Sequence, residues 1–146
     1  MSNEAPRSRI PGSGARYARD MTIAVAYRPD DYGRAAVRWA AAEAEAKDER
    51  LVLITVSETD PEVDEPEQID LSEFTERFDL EGIDYEIRTA ASLSVSDVVI
   101  DQAVDAGAER LVIGIRKRTP VGKMLMGRVT QMILLDAPMP VIAVKP

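Results

Sequence analysis

Five cationic side chains, Arg116, Lys117, Arg118, Lys123 and Arg128, fall within thirteen residues that contain no acid, in a chain of 146 residues whose formal net charge is −8. Three glycines, Gly114, Gly122 and Gly127, punctuate the same stretch. Cations beside a glycine-bearing loop are suited to phosphate. If the loop meets a helix N-terminus, free backbone N–H groups and the positive end of the helix dipole add to the side-chain charge. A second reading stays open beside this anion cradle. The glycines can serve tight backbone geometry alone, with the cations lying at the surface on their own apolar stems.

The remaining composition narrows the chemistry. There is no cysteine and no histidine. A thiol nucleophile, a Ser-His-Asp triad, an imidazole-based zinc site and the usual neutral-pH general base are therefore unavailable. Two phosphate motifs also fail. Gly122-Lys123 is followed by Met124 rather than Ser or Thr, and the preceding glycine stands eight residues back, so no Walker A loop is formed. A G-x-G-x-x-G dinucleotide turn is missing as well. Net acidity argues against a broad nucleic-acid footprint, since a phosphate backbone requires a basic face.

The elements that must position the cluster follow from hydrophobic patterning. Continuous apolar runs at Thr22–Tyr27, Leu51–Val56, Leu111–Ile115 and Val141–Val144 are what strands covered on both faces look like. A fifth run, Ile83–Arg88, alternates and suits an edge strand. Helical stripes lie between them: Tyr32, Ala35, Ala36, Trp39, Ala40 and Ala46 after Asp30 or Asp31 as N-cap; Val95, Val98, Val99, Gln102, Ala103 and Ala106 after Ser92 or Ser94, stopped by Gly107; and Leu125, Val129, Met132 and Ile133 before Ala137-Pro138. Strand-helix alternation of this kind specifies an α/β domain with a parallel sheet and helices on both faces. Ligands then collect outside the carboxyl ends of the strands, where strand order reverses.

Residues 1–20 hold two Pro, two Gly, three Ser and four Arg with one isolated Ile, and are expected to form a flexible tail ahead of one domain over residues 21–146. Residues 57–82 carry eleven acids against one Arg. Their Pro-containing first half reads as a solvated loop, and Leu71, Phe74 and Phe78 are spaced as a short amphipathic helix. No segment has the apolar length of a membrane span, and a cytoplasmic location is expected.

The order of elements, the run Ala108–Gly114, Leu125-Met126-Gly127 and the closing Ala137–Val144 together resemble the universal stress protein family over Met21 to Pro146. The resemblance implies an open five-stranded parallel sheet of order 3-2-1-4-5, a dimer and, in one branch, an ATP site with the motif G-x2-G-x9-G-[ST]. Carried onto this sequence, the first glycine of that motif is Gly114 and the third is Gly127. Its second glycine falls on Lys117 and its hydroxyl on Arg128, while the family's acidic residue after the first strand falls on Arg28. All three changes install a cation. The resemblance thus places ligand contacts at Arg28, Val56, Gly114, Lys117, Gly127, Arg128 and Val129, with no metal ligand and no catalytic residue.

Converging cations are relieved either by a bound anion or by nearby carboxylates, for which Asp30, Asp31 and Glu58 are candidates from neighbouring loops. The expected function is a binding or regulatory module that is not an enzyme. ATP or another phosphate-bearing anion is the possible ligand, and Mg-ATP is expected to bind weakly or not at all. Retained ATP binding with slow hydrolysis, and a purely structural dimer, are the alternatives. The dimer would form through Val141–Val144, an apolar strand left with an unpaired edge.

Overall fold

The computed structural model describes residues 21–116 and 127–146. The expected tail over residues 1–20 and the cations Lys117, Arg118 and Lys123 lie outside the described residues. Within them the chain runs β1 (Thr22–Ala26), α1 (Asp31–Lys47), β2 (Arg50–Ser57), α2 (Ser72–Glu81), β3 (Tyr85–Ala91), α3 (Val95–Asp105), β4 (Arg110–Gly114), α4 (Arg128–Asp136) and β5 (Val141–Val144). The strands form one five-stranded sheet of order β3-β2-β1-β4-β5, and all four pairings are parallel. This is the order that the resemblance implies.

Pleat parity explains the uninterrupted apolar runs. Ile23, Val25, Leu51, Leu53 and Val112 point to one face of the sheet, where Ala36, Val37, Ala40 and Ala44 of α1 and Phe74 and Phe78 of α2 close over them. Ala24, Val52, Ile54, Leu111 and Ile113 point to the other, beneath Val99, Ile100 and Ala103 of α3 and Ile133 of α4. Successive apolar residues in the middle of a central strand therefore enter one core or the other, and polar alternation has no place among them.

The first helical stripe is displaced from the expected one. Gly33, Ala36, Val37, Ala40 and Ala44 are buried in α1, whereas Tyr32, Ala35 and Trp39 are half-buried and Ala46 is exposed. Gly33 sets the rotation. A Cβ at this position would lie 2.0 Å from the Arg28 carbonyl oxygen, so only glycine lets the first turn of α1 sit this close to the end of β1. Asp30 is the N-cap and accepts the Gly33 N–H at 2.7 Å. The caps expected for α3 fare differently. Ser94 occupies the N-cap without a side-chain cap bond, and Gly107 follows the helix at φ 73.

The alternating strand begins two residues later than expected and runs on to Ala91. Ile83 is buried ahead of it, with its N–H donating to the Phe78 carbonyl at 2.9 Å. Ile83 thus closes α2 and is not part of the ladder. The acidic segment keeps residues 61–68 exposed and is tied at its end by Ser57, whose buried hydroxyl accepts the Glu67 N–H at 2.8 Å.

A cluster of ion pairs sits at the amino ends of the strands. Arg110 at the start of β4 meets Glu43 of α1 at 3.0 Å and also the buried Glu49, while Lys47 reaches Glu43 at 2.9 Å. The Lys47 and Arg110 hydrogen bonds hold the Glu43 carboxyl below its ordinary range.

Candidate functional site

A cavity of about 170 Å³ opens at the carboxyl ends of β1 and β4. This is where strand order reverses, because β1 pairs with β2 on one side and β4 on the other while the crossovers leave to opposite faces. Its floor is apolar, made by Ile54 and Val56 of β2, Val95 and Val99 of α3, Ile113 of β4 and Ile133 of α4. Its rim is polar and comes from two loops and two helix starts: Arg28, Asp30 and Tyr32 on the β1 side, Arg116 and Thr130 on the β4 side.

Five of the seven residues singled out from the sequence meet here. Arg28, Val56, Gly114, Gly127 and Val129 all line the cavity. Arg128 is the first residue of α4 and is exposed, and it is not part of the lining. Lys117 lies outside the described residues. Thr130, two positions beyond Arg128, lines the cavity instead and brings a hydroxyl to the start of α4. Sequence reasoning passed over it because the motif fixed attention on the residue directly after Gly127.

The two matched glycines do different things. A Cβ on Gly114 would lie 2.1 Å from the Tyr32 carbonyl oxygen, so this glycine admits the backbone of α1. A Cβ on Gly127 would meet none of the described residues within 4 Å, and Gly127 serves as N-cap of α4 without a side-chain cap bond among them.

The three carboxylates proposed as neutralisers are dispersed. Asp30 faces Arg28 at 3.9 Å, Asp31 pairs with Arg34 at 3.4 Å, and Glu58 is exposed on the loop after β2. Arg116, meanwhile, lies over the ring of Tyr32 at 5.8 Å from its centroid, a cation–π contact that bridges the two sides of the rim. Tyr27 is buried below Arg28, and burial pushes its phenol above the ordinary range against the pull of a hydrogen bond to Arg34. The guanidinium has donors only, so the phenol oxygen accepts this bond. Its ring meets Phe74 edge-on at 5.2 Å, which joins the cavity wall to α2. Among the described residues, no three acidic side chains converge as a metal-ligand set. None of their helices is long and apolar enough to cross a membrane.

The arrangement can bind a ligand with an apolar, planar part on the floor and an anionic part at the rim. Comparison with known proteins agrees with the fold. A universal stress protein from Mycolicibacterium smegmatis is 37% identical over 126 residues, which is 85% of this chain and 97% of that protein. The structure of the universal stress protein from Archaeoglobus fulgidus is similar at a TM-score of 0.65 and 28% identity, covering 86% of this chain and 98% of that one. Two nucleotide complexes share the fold: an A. fulgidus universal stress protein with dAMP (TM-score 0.58, 21% identity, 86% of this chain and 98% of that one) and a family protein from Arabidopsis thaliana with AMP bound (TM-score 0.60, 17% identity, 86% and 91%). Residues 21–145 match the model of the Universal stress protein family, and the chain belongs to that family.

Proposed function

We propose that the cavity at the ends of β1 and β4 binds a nucleotide or a related phosphate-bearing anion, and that the protein is a cytoplasmic binding and regulatory module, not an enzyme. The observation that carries this reading is the pairing of an apolar floor with a rim bearing Arg28 and Arg116. The floor suits a base, and the rim guanidiniums suit phosphate oxygens. The non-enzymatic part rests on the lining. Asp30 is the one carboxylate in it among the described residues, and its two oxygens face the Gly33 N–H and Arg28. A general base would need a carboxylate free to approach substrate.

Mass spectrometry of small molecules released from the purified, denatured protein tests the reading. An adenine nucleotide in stoichiometric amount is expected. Adding AMP to nucleotide-free protein should raise its melting temperature by mass action, equivalent to about 2.7 kcal/mol when the ligand stands a hundredfold above its Kd. Absence of both effects refutes nucleotide binding.

We also infer that the protein works as a dimer. β5 is an edge strand that pairs only with β4 among the described strands, and Val141–Val144 has no charged or proline residue to blunt it. Ile142 packs against the core, so a charge there would damage the fold itself. Ala143 is exposed and gives the cleaner test. Light scattering should show a dimer for the wild type and a monomer for Ala143→Lys, in which like charges would oppose across the two-fold. A wild-type monomer at micromolar concentration overturns the inference.

A further inference from the structure

Charge is unevenly shared along the chain. Residues 57–82 carry eleven acids against one Arg, while residues 21–56 and 83–146 together hold thirteen cations and thirteen acids. Among the described residues this acidic segment forms a single ion pair, Arg77 with Glu81 at 3.2 Å on α2. The carboxylates ahead of α2 cannot spread apart. The Glu67 N–H donates to the Ser57 hydroxyl at 2.8 Å, the Glu62 N–H to the Asp60 carboxylate and the Ser72 N–H to the Asp70 carboxylate, both at 2.9 Å. Like charges fixed side by side deepen the local potential and attract cations.

The same surface is apolar in places. Phe74 and Phe78 turn the inner side of α2 to the core, which leaves Leu80 on the outer side, 88% exposed. Leu80 stands one helical turn after Glu76 and Arg77 and between Asp79 and Glu81. An occupant of this helix face must therefore bring cations together with an apolar side chain.

Such a segment belongs to the chain itself. Residues 1–20 lie outside the described residues and ahead of the family match, which begins at residue 21. They hold Arg7, Arg9, Arg16 and Arg19 against Glu4 and Asp20, with Tyr17 between the last two arginines. Their reach is sufficient. The Arg50 N–H donates to the Met21 carbonyl at 3.0 Å and the Leu51 N–H to the Asp84 carbonyl at 2.9 Å. Residues 1–20 thus join the fold two strand spacings, about 10 Å, from the chain that follows α2. Tyr17 precedes Met21 by four residues, about 13 Å of extended chain. The remainder can run the length of α2, about 15 Å, and reach the loop beyond it.

We propose that residues 1–20 dock on the outer face of α2 and on the acidic loop ahead of it. Tyr17 covers Leu80, Arg16 and Arg19 face Glu76 and Asp79, and Arg7 and Arg9 reach the carboxylates of residues 58–67. Arginine suits both parts of this face, because its planar guanidinium pairs with carboxylates in a fork and stacks on apolar surface. Each exposed pair contributes little alone, and four acting together hold the segment. The contact is electrostatic at long range, so it weakens as salt shortens the Debye length from about 8 Å to about 3 Å at 1 M.

Paramagnetic broadening in the full chain tests it. The protein has no cysteine, so Ser8→Cys carrying a nitroxide is a unique label. In low salt the amide signals of residues 61–80 are expected to be lost, while those of α4 and β5 persist, and 1 M salt should restore the lost signals. Replacing the four arginines together, Arg7→Ser, Arg9→Ser, Arg16→Ser and Arg19→Ser, should restore them as well, whereas the four matching Arg→Lys changes keep most of the loss. Glu76→Lys with Asp79→Lys should free the signals of α2. Both positions are exposed, so the fold is retained, which circular dichroism checks. Broadening spread evenly over the surface, no broadening at all, or a loss that the four serine changes leave intact overturns the proposal. Isotope-labelled protein without nitroxide, mixed with nitroxide-bearing unlabelled protein, should keep its signals. Their loss would place the segment on a second copy and overturn docking within one chain.

Discussion

Replacing Gly114 by alanine should cost about 3 kcal/mol of stability or more, the upper part of the range for overpacking a close-packed interior. The added Cβ would lie 2.1 Å from the Tyr32 carbonyl oxygen and 2.5 Å from its carbon. These are backbone atoms and cannot rotate aside. Nor can the first turn of α1 lift away cheaply, since it is pinned by the Asp30 cap and by the contact of Gly33 with Arg28. Relief would have to come from separating α1 from β4 at the rim. At roughly 2–4 °C per kcal/mol for a domain of this size, the melting temperature should fall by about 6–12 °C. Gly127→Ala is the matched control, because a Cβ there would meet none of the described residues within 4 Å and the change should stay under about 1 kcal/mol. Urea unfolding of the two variants side by side measures the difference. Equal midpoints would show that α1 is not seated on Gly114 as described.

Phe78→Ala should destabilise by about 3–5 kcal/mol, as expected when a buried ring is removed and the space only partly closes. Phe78 is 2% exposed. Its ring centroid lies 6.4 Å from that of Phe74 and 5.2 Å from that of Tyr85, so it is the middle of an aromatic row that begins with Tyr27 at the cavity wall. Loss of Phe78 leaves Phe74 unsupported on one side, and Tyr27 with it. Leu80, two residues on and 88% exposed, should tolerate alanine within about 0.5 kcal/mol. Denaturant midpoints with unchanged m-values would report the loss as one of stability. A Phe78→Ala protein as stable as Leu80→Ala would contradict the packing of α2 on the sheet.

The contrast between these positions shows what the sequence can disclose. Val25 and Ala24 enter opposite cores, so the run around them is apolar at every step and the strand is plain from composition alone. β5 was legible to the residue, Val141–Val144, because Pro140 and Lys145 bracket it. The face of α1 was not. An alanine-rich helix offers little difference in side-chain size between its sides, and the buried face was chosen by the close approach at Gly33, which hydropathy does not record. β3 was misplaced because Ile83 is buried as the closing residue of α2, while Thr89, whose hydroxyl bonds that of Thr55 at 3.2 Å, has no apolar signature.

The site divides in the same way. Arg28, Gly114 and Gly127 were legible from the family motif, and Asp30 from its nearness in sequence to Arg28. The stacking of Arg116 on Tyr32 was not, because it joins loops far apart in the chain that only the β1–β4 pairing brings together. Gly114 was legible as a residue, and of the two tasks left open for it the tight backbone approach is the one seen, since it admits a helix backbone.

The placement of the Arg110, Glu43, Glu49 and Lys47 cluster has a consequence for ionic strength. It lies at the amino ends of the strands, whereas Arg28 and Arg116 lie beyond the carboxyl ends of β1 and β4. A five-residue strand such as β1 spans about 16 Å, which is twice the Debye length of about 8 Å in physiological salt. The two charge groups are therefore electrically independent. Substitutions that tune attraction of an anion at the mouth leave the ion pairs at the base undisturbed, and the base can be rebuilt for heat or salt tolerance without altering the potential a ligand encounters.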